Sequence, residues 1–364
     1  MKVTFPLLGN TYIPIEALLQ GLGHEPVTPP AGSKKTLEWG SQHSPEEVCL
    51  PFKIILGNML EGLELGADCV YMIGGWGPCR LGYYAEIQRI LLQELGQKAE
   101  FITLEVPQGN FALSWNRLRK IFEPTKITEF ISGCALSWAK LKVLEDLEQL
   151  ALQTRPREKT QGSASRLLAK QLKRLRNVQS IKGVWKIGQE SISAFQDLVD
   201  PFSSAGTLKI GLVGEIYTVV EPFANLRLEE RLGHLGVEVI RTISIRQWMK
   251  DHIFKNALGL YRQGALKRSA AGYLRDFVGG HGLETIARSV DLSQEGLAGI
   301  IHILPLSCMP EIIAQGILPR VSAEREIPIL SLVIDEHSGE TGFQTRLEAF
   351  VDLLERRRRI DVCK

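Results

Sequence analysis

Short apolar runs alternate with amphipathic stretches along most of this chain, and this alternation limits its fold more than any other feature. "KVTFPL", "CVYMIG" and "EFITLEV" have the length and composition of buried strands, with helical patterns between them. The pattern resumes in "TLKIGLVGEIY", "GIIHILPLSCMPEI" and "IPILSLVIDE". Repeats of strand, helix and strand form parallel sheets covered by helices. The sequence therefore predicts the α/β class, with one lobe at residues 1–150 and another at residues 206–364.

Residues 151–205 break this pattern. Between Arg155 and Lys186 there are ten Lys or Arg residues and a single acidic residue, Glu158. Four leucines within this stretch keep helical spacing. We predict a helical connector whose basic face is solvated, as most charge runs are. A docking surface for an acidic partner or a nucleotide is the alternative.

Charge and hydropathy exclude several classes of protein. The 364 residues carry a formal net charge of only +2, so no overall electrostatic attraction to nucleic acid is indicated. No apolar run reaches the roughly 18 residues of a membrane-spanning helix. The N-terminal stretch "MKVTFPLLGNTYIP" lacks the features of a signal peptide. We expect a cytoplasmic protein that binds neither nucleic acid nor membrane.

The chain has six cysteines and no C-x-x-C pair, so zinc ribbons and thioredoxin-like motifs are not indicated. A disulfide framework is not expected in a cytosolic chain of this size. The ordinary interpretation of each thiol is a small buried apolar side chain. The six are Cys49, Cys69, Cys79, Cys134, Cys308 and Cys363.

Three of these thiols share one kind of position. Cys49 and Cys308 each lie two residues before a proline that opens a predicted helix, and Cys79 lies between a strand and a helix. Backbone N–H groups at a helix N-terminus favour anionic sulfur and lower the pKa of a thiol. Three thiolates in such positions suit a soft metal site. Iron–sulfur clusters accept isolated cysteines from loops, whereas zinc sites usually show closely spaced ligand pairs.

Two other cysteines have less distinctive surroundings. Cys69 opens the strand that leads to Cys79, and five residues of strand carry it about 16 Å from the carboxyl end. Cys134 lies within a helical pattern. Either thiol could close the coordination of a cluster, and Cys69 is the better candidate of the two because its strand leads to Cys79. The distance argues against Cys69, and we expect neither thiol to be a metal ligand.

Several motifs together resemble the CoA protein activase group, which is related to the D-component of 2-hydroxyacyl-CoA dehydratases and to double-cubane cluster proteins. They are spread over most of the chain, least clearly over residues 140–205, and read "GNTYIP", "CLPFK", "GGWGPCRLGYYAE", "GEIY", "EPFAN", "CMPE" and "DEHSGETGFQTRLEAF". The resemblance implies two Rossmann-like lobes that hold an iron–sulfur cluster, of the 4Fe-4S type or a double cubane. It also implies an actin/Hsp70-like ATPase as the partner that supplies low-potential electrons. The thiols that match the motifs are Cys49, Cys79 and Cys308.

Residues of two glycine-bearing turns are further candidates. Gly75 and Gly77 would let the backbone approach a cofactor closely. "GLVGEIY" is neither a P-loop nor a dinucleotide fingerprint. Gly214 is a candidate cofactor contact there, and Glu215 a candidate general acid/base. The alternative for Glu215 is a carboxylate that the helix dipole favours.

The loop "DEHSGE" follows another predicted strand. Within this loop, His337 is the candidate cofactor contact, placed beside the predicted iron–sulfur cluster. An ordinary polar, glycine-bearing loop is the alternative.

We therefore expect an iron–sulfur protein that performs ATP-coupled, low-potential electron transfer to a small substrate or a partner enzyme. One alternative is an acyl-CoA dehydratase subunit with an open iron site. Others are a non-catalytic scaffold or cluster-assembly protein that binds the ATPase, and a structural zinc protein. Three thiols leave one iron of a cubane open, unless a homodimer brings two sets of three thiols to a double cluster.

Overall fold

The computed structural model describes residues 1–74, 81–104, 126–202, 206–250 and 264–362. The strands in these residues are β1 (Lys2–Thr4), β2 (Glu25–Pro26), β3 (Cys69–Ile73), β4 (Glu100–Leu104), β5 (Leu208–Gly214), β6 (Val237–Arg241), β7 (Gly299–Pro305) and β8 (Ile329–Ile334). The helices are α1 (Tyr12–Gly21), α2 (Lys34–Gln42), α3 (Leu50–Glu64), α4 (Leu81–Glu94), α5 (Ile127–Thr154), α6 (Ser163–Asn177), α7 (Ile181–Gln196), α8 (Ile216–Val220), α9 (Leu228–His234), α10 (Ile245–Met249), α11 (Gly264–Ala270), α12 (Gly282–Leu292), α13 (Met309–Glu324) and α14 (Glu340–Val362). The sequence pattern also predicts a helix at residues 112–123, which lie outside the described residues.

The chain divides into two compact units. The first unit comprises Met1–Leu144 and Leu172–Ile187, and the second comprises Glu145–Gln171 and Gly188–Lys364. Each unit contains one four-stranded sheet. The predicted connector, residues 151–205, contributes helices to both units.

Helix α6 has the amphipathic character that its sequence predicts. Leu168 and Leu175 are buried, whereas Lys170, Lys173 and Arg174 on other sides of the helix are exposed. These three basic residues therefore lie on an exposed face, whereas Arg176 in the last turn donates to both carboxylate oxygens of Glu16 at 2.9 and 2.6 Å. Whether the exposed face docks a partner stays a prediction.

The first unit is built on the sheet order β2-β1-β3-β4, with all neighbours parallel. Cys69 pairs with Val3 in the register of β1 and β3. Both side chains belong to a buried core cluster with Tyr71 and Ile102. The apolar runs predicted as strands therefore form the centre of this sheet.

The second unit repeats the same order as β6-β5-β7-β8, again with all neighbours parallel. Every residue of β7 is buried, as expected for a parallel strand covered on both faces. The pairing of β5 with β7 runs from Ile210 with Gly299 to Gly214 with Ile303. The two parallel sheets confirm the predicted α/β fold and are consistent with two Rossmann-like lobes.

The strand order indicates at which edge of each sheet a ligand would be expected to bind. In both units the first and third strands are central neighbours, and the chain leaves them toward opposite sides. Open α/β sheets bind ligands beyond the carboxyl ends of strands at such a reversal. The segments that follow β1 and β3, and those that follow β5 and β7, are therefore the places to look for a site.

Among the residues that the structure describes, no helix has both the length and the apolar character needed to cross a bilayer.

Candidate metal-binding thiols and the sheet edges

Cys308 lies at the carboxyl edge of the second sheet. It follows β7 and is the N-cap of α13, with Pro310 inside the first helical turn. The preceding residue, Ser307, has a positive φ of 67°, which turns the chain sharply out of the strand. Cys308 itself is partly exposed. The predicted placement of this thiol at a helix N-terminus is confirmed.

Two other predicted segments lie at the same edge of the second sheet. Gly214 ends β5, and the backbone N–H of Glu215 donates to the Ile303 carbonyl at 3.2 Å. Leu306, which follows β7, donates its N–H to the Ile334 carbonyl at the end of β8 at 2.8 Å. The turn after β7 therefore lies between the turn after β5 and the turn after β8, as in the strand order.

Glu215 is a helix cap. One carboxylate oxygen accepts from the backbone N–H of Tyr217 at 2.9 Å. The other accepts from the backbone N–H of Thr218 at 2.9 Å and from its hydroxyl at 2.7 Å. Both oxygens are thus engaged at the start of α8. The sequence left two interpretations of Glu215, a general acid/base and a carboxylate favoured by the helix dipole. The observed hydrogen bonds are those expected for the second.

We expect Glu215→Ala to lower the free energy of unfolding by about 1 kcal/mol, because it removes the cap of α8. Glu215→Gln keeps an acceptor oxygen and should retain most of that stability. Urea denaturation of the two variants measures the difference. Equal stability of wild type and Glu215→Ala would contradict the capping role.

Gly214 makes a close approach to protein backbone. Its φ is +141°, and a Cβ built on it would lie 1.9 Å from the Ile303 carbonyl oxygen. A side chain there would push β5 away from β7. Glycine is thus required at position 214 because of the close contact with the neighbouring strand. The role of Gly214 as a cofactor contact stays a prediction.

His337 lies in an exposed turn after β8. Its backbone N–H donates to the Asp335 carboxylate at 3.0 Å, and the Ser338 hydroxyl donates to the same oxygen at 2.8 Å. Glu340, the first residue of α14, forms an ion pair with Arg231 at 2.6 Å. Internal hydrogen bonds thus order this polar loop, and the role of His337 as a cofactor contact stays a prediction.

Cys49 is the N-cap of α3 in the first unit, with Pro51 inside the first turn. Its sulfur lies 3.0 Å from the hydroxyl of Tyr84, a buried residue in the first turn of α4. The Tyr84 ring packs edge-on against Phe52 at 4.7 Å between centroids. Cys49 therefore lies beside the start of the helix that follows β3, and its predicted helix-start placement is confirmed.

Cys69 and Cys134 have different surroundings. Cys69 is the first residue of β3, is 1% exposed and packs in the core of the first sheet. Cys134 lies within α5, where burial raises the pKa of its thiol. That neither residue binds a metal stays a prediction.

Three predicted site residues, Gly75, Gly77 and Cys79, lie outside the described residues. Within the described ranges, no group of three or more His, Cys, Asp or Glu side chains could hold a metal ion. Cys49 belongs to the first unit and Cys308 to the second.

Two buried residues near Cys308 were missed by the sequence analysis. His302 in β7 and Glu311 in α13 are both fully buried, with 2.9 Å between His302 Nε2 and Glu311 Oε2. The available signal was a histidine inside an apolar strand, followed nine residues later by a glutamate in the first turn of a helix. Buried charged groups are rare unless they are paired.

No family model matches this chain, and no curated protein is significantly similar to it.

Proposed function

We propose that this chain binds an iron–sulfur cluster through Cys49, Cys79 and Cys308 and performs ATP-coupled, low-potential electron transfer. The observation that carries the proposal is the shared position of two of these thiols. Cys49 and Cys308 are each the N-cap of a helix, and each is followed by a proline in the first turn. The resemblance of the quoted motifs to CoA protein activases supports the same function.

The surroundings of these two thiols suit an anionic, sulfur-ligated group. Both are partly exposed, so a ligand can reach them, whereas Cys69 is buried. Backbone N–H groups in the first helical turn favour thiolate over thiol. A bound cluster would supply one-electron chemistry, and hydrogen bonds to sulfur tune its potential.

Tyr84 has a defined role in this proposal. Its hydroxyl lies 3.0 Å from the Cys49 sulfur, and its ring is held against Phe52. A hydroxyl that donates to a thiolate stabilises the negative charge on sulfur. Tyr84 would therefore orient Cys49 and raise the potential of the group that it ligates.

The partners and the location are parts of the same proposal. We propose an actin/Hsp70-like ATPase as the electron donor and a cytoplasmic location, with no nucleic acid or membrane as a partner. "GLVGEIY" lacks the Gly-Lys-Ser/Thr that a P-loop needs, which favours ATP hydrolysis on a separate protein. A homodimer would be needed if two sets of three thiols held a double cluster.

Protein prepared without oxygen should be brown and contain iron together with acid-labile sulfide. Iron and sulfide analysis of the purified full chain measures this directly. A colourless preparation with bound zinc would support the structural zinc alternative. Folded protein without iron or sulfide after anaerobic reconstitution would refute the proposal.

Reduction of the cluster should require ATP hydrolysis by the separate partner ATPase. Absorbance of the reconstituted protein is followed with the ATPase and ATP, and then with a non-hydrolysable ATP analogue as the control. Equal rates of reduction in the two reactions would contradict ATP coupling. A cluster that the ATPase binds but never reduces would favour the scaffold alternative, whereas turnover of a 2-hydroxyacyl-CoA would favour the dehydratase alternative.

A further inference from the structure

A buried polar cluster lies beneath the turn that carries Cys308. His302 in β7 and Glu311 in the first turn of α13 are both 0% exposed, and 2.9 Å separates His302 Nε2 from Glu311 Oε2. The Thr285 hydroxyl, in the first turn of α12, donates to the two oxygens of Glu311 at 3.2 and 3.0 Å. One carboxylate thus joins a strand to two helices.

Ser331 in β8 completes the cluster. Its hydroxyl lies 3.2 Å from His302 Nδ1. Both contacts are satisfied by a single tautomer, in which Nε2–H donates to Glu311 and Nδ1 accepts from the Ser331 hydroxyl. Each polar side chain in the cluster then has a partner, as buried polar groups require.

The cluster holds the first turn of α13 from several sides. Cys308 is part of that turn, because its carbonyl accepts from the Ile312 N–H at 2.9 Å and its own N–H donates to the Pro305 carbonyl at 3.1 Å. Helix α12 packs so closely that a Cβ on Gly282 would lie 2.5 Å from the Pro310 carbonyl oxygen. Glu311 connects this turn to β7 and α12, because its carboxylate hydrogen-bonds to His302 of β7 and to Thr285 of α12.

Helix α3 offers a comparison within the same protein. Its N-cap is Cys49 and its second residue is Pro51, but Phe52 stands where α13 has Glu311. The Phe52 N–H donates to the Cys49 carbonyl at 3.0 Å. The two Cys-x-Pro turns thus share their position at a helix start, and the third helical residue is a buried carboxylate in the second turn and a phenylalanine in the first.

We propose that Glu311, held by His302 and Thr285, is a positioning residue that fixes Cys308 at the carboxyl edge of β7. This inference deepens the proposed function: the importance of Glu311 for iron binding rests on the proposal that Cys308 is a cluster ligand. The positioning role itself can be tested in the metal-free chain. Without the Glu311 carboxyl group, the first turn of α13 should open more often, and Cys308 should lose its fixed place.

The test is hydrogen exchange resolved to single amides in the metal-free full chain. In Glu311→Ala, the Cys308 and Ile312 amides should exchange about tenfold faster or more, since His302 and Thr285 lose a buried partner. Glu311→Gln should keep close to the wild-type rate, within about 1.5-fold, because glutamine can accept from Thr285 and donate to His302 Nε2, while Nδ1–H donates to Ser331. This rescue distinguishes positioning by hydrogen bonds from a need for charge.

Two amides serve as controls. The Phe52 amide reports the matching turn in the first unit, and the Val219 amide, which donates to the Glu215 carbonyl at 2.9 Å, reports the rest of the second unit. Neither should change. Equal acceleration at Val219 would show general destabilisation and overturn the proposal, as would an unchanged rate at Cys308 and Ile312.

Thr285→Val is the second variant, in case Glu311→Ala does not fold. It keeps the volume of the side chain, removes one donor to Glu311 and should accelerate the Cys308 and Ile312 amides about threefold. An unchanged rate there overturns the proposal. Iron content is measured separately. If the wild-type chain binds no iron while Glu311→Ala still shows selective opening at Cys308, the proposed function is refuted and the positioning role of Glu311 is retained.

Discussion

Cys308→Ser should remove most of the iron from protein reconstituted without oxygen, and so should Cys49→Ser and Cys79→Ser. A serine hydroxyl keeps the size of the thiol, but it does not replace thiolate as a soft ligand for iron. Cys49 and Cys308 are N-caps with no side-chain capping bond, so their substitution should leave both helices formed. Iron per chain and circular dichroism of each variant measure the two quantities.

Cys69→Ala and Cys134→Ser are the matched controls, and both should keep their iron. Cys69 is in the core at the start of β3, so its removal should cost about 1 kcal/mol of stability without touching the carboxyl edge. Loss of iron in Cys69→Ala equal to that in Cys79→Ser would show that the ligand set is wrong. Full retention of iron in Cys49→Ser, Cys79→Ser and Cys308→Ser would refute cysteine ligation by this set.

The apolar strands and the positions of the helix-start thiols could be predicted because each depends on local pattern, whereas the two-residue strand β2 has no such pattern and was not predicted. Buried parallel strands are continuous apolar runs, and "GIIHILP" is wholly buried as β7. A proline in the first turn marks where a helix begins, which located Cys49 and Cys308 at the starts of α3 and α13. The cap formed by Glu215 follows from the same local logic, since it stands between a strand and a helix.

Other elements were missed for physical reasons. Helix α2 is short and polar, and its start depends on a capping box in which Ser33 and Thr36 exchange hydrogen bonds, without the usual Glu or Gln. Helix α14 begins at Glu340, the last residue of the stretch "DEHSGE" that the sequence predicted as a loop. Its first turn lies beside glycines that indicated a loop, and Gly342 is accommodated there within the helix.

The buried pair of His302 and Glu311 could not be derived from spacing. A strand residue and a helix residue nine positions apart meet only if the turn between them folds the helix back over that strand. Side-chain direction along β7 also decides whether position 302 faces α13. Such pairs depend on how a strand and a helix pack, which the periodicity of either element alone does not define.

Gly214→Ala should destabilise the second unit by roughly 3–5 kcal/mol, from backbone strain at positive φ together with overpacking. The new Cβ would lie 1.9 Å from the Ile303 carbonyl oxygen, in the pairing of the two central strands. Gly236→Ala is the matched control, since Gly236 has a φ of +76° and no atom lies within 4 Å of the place that its new methyl group would take. It should cost only about 1 kcal/mol. Urea denaturation compares the two. Equal stabilities would mean that the sheet tolerates a side chain at position 214, and iron loss from a fully stable Gly214→Ala would instead support the predicted cofactor contact.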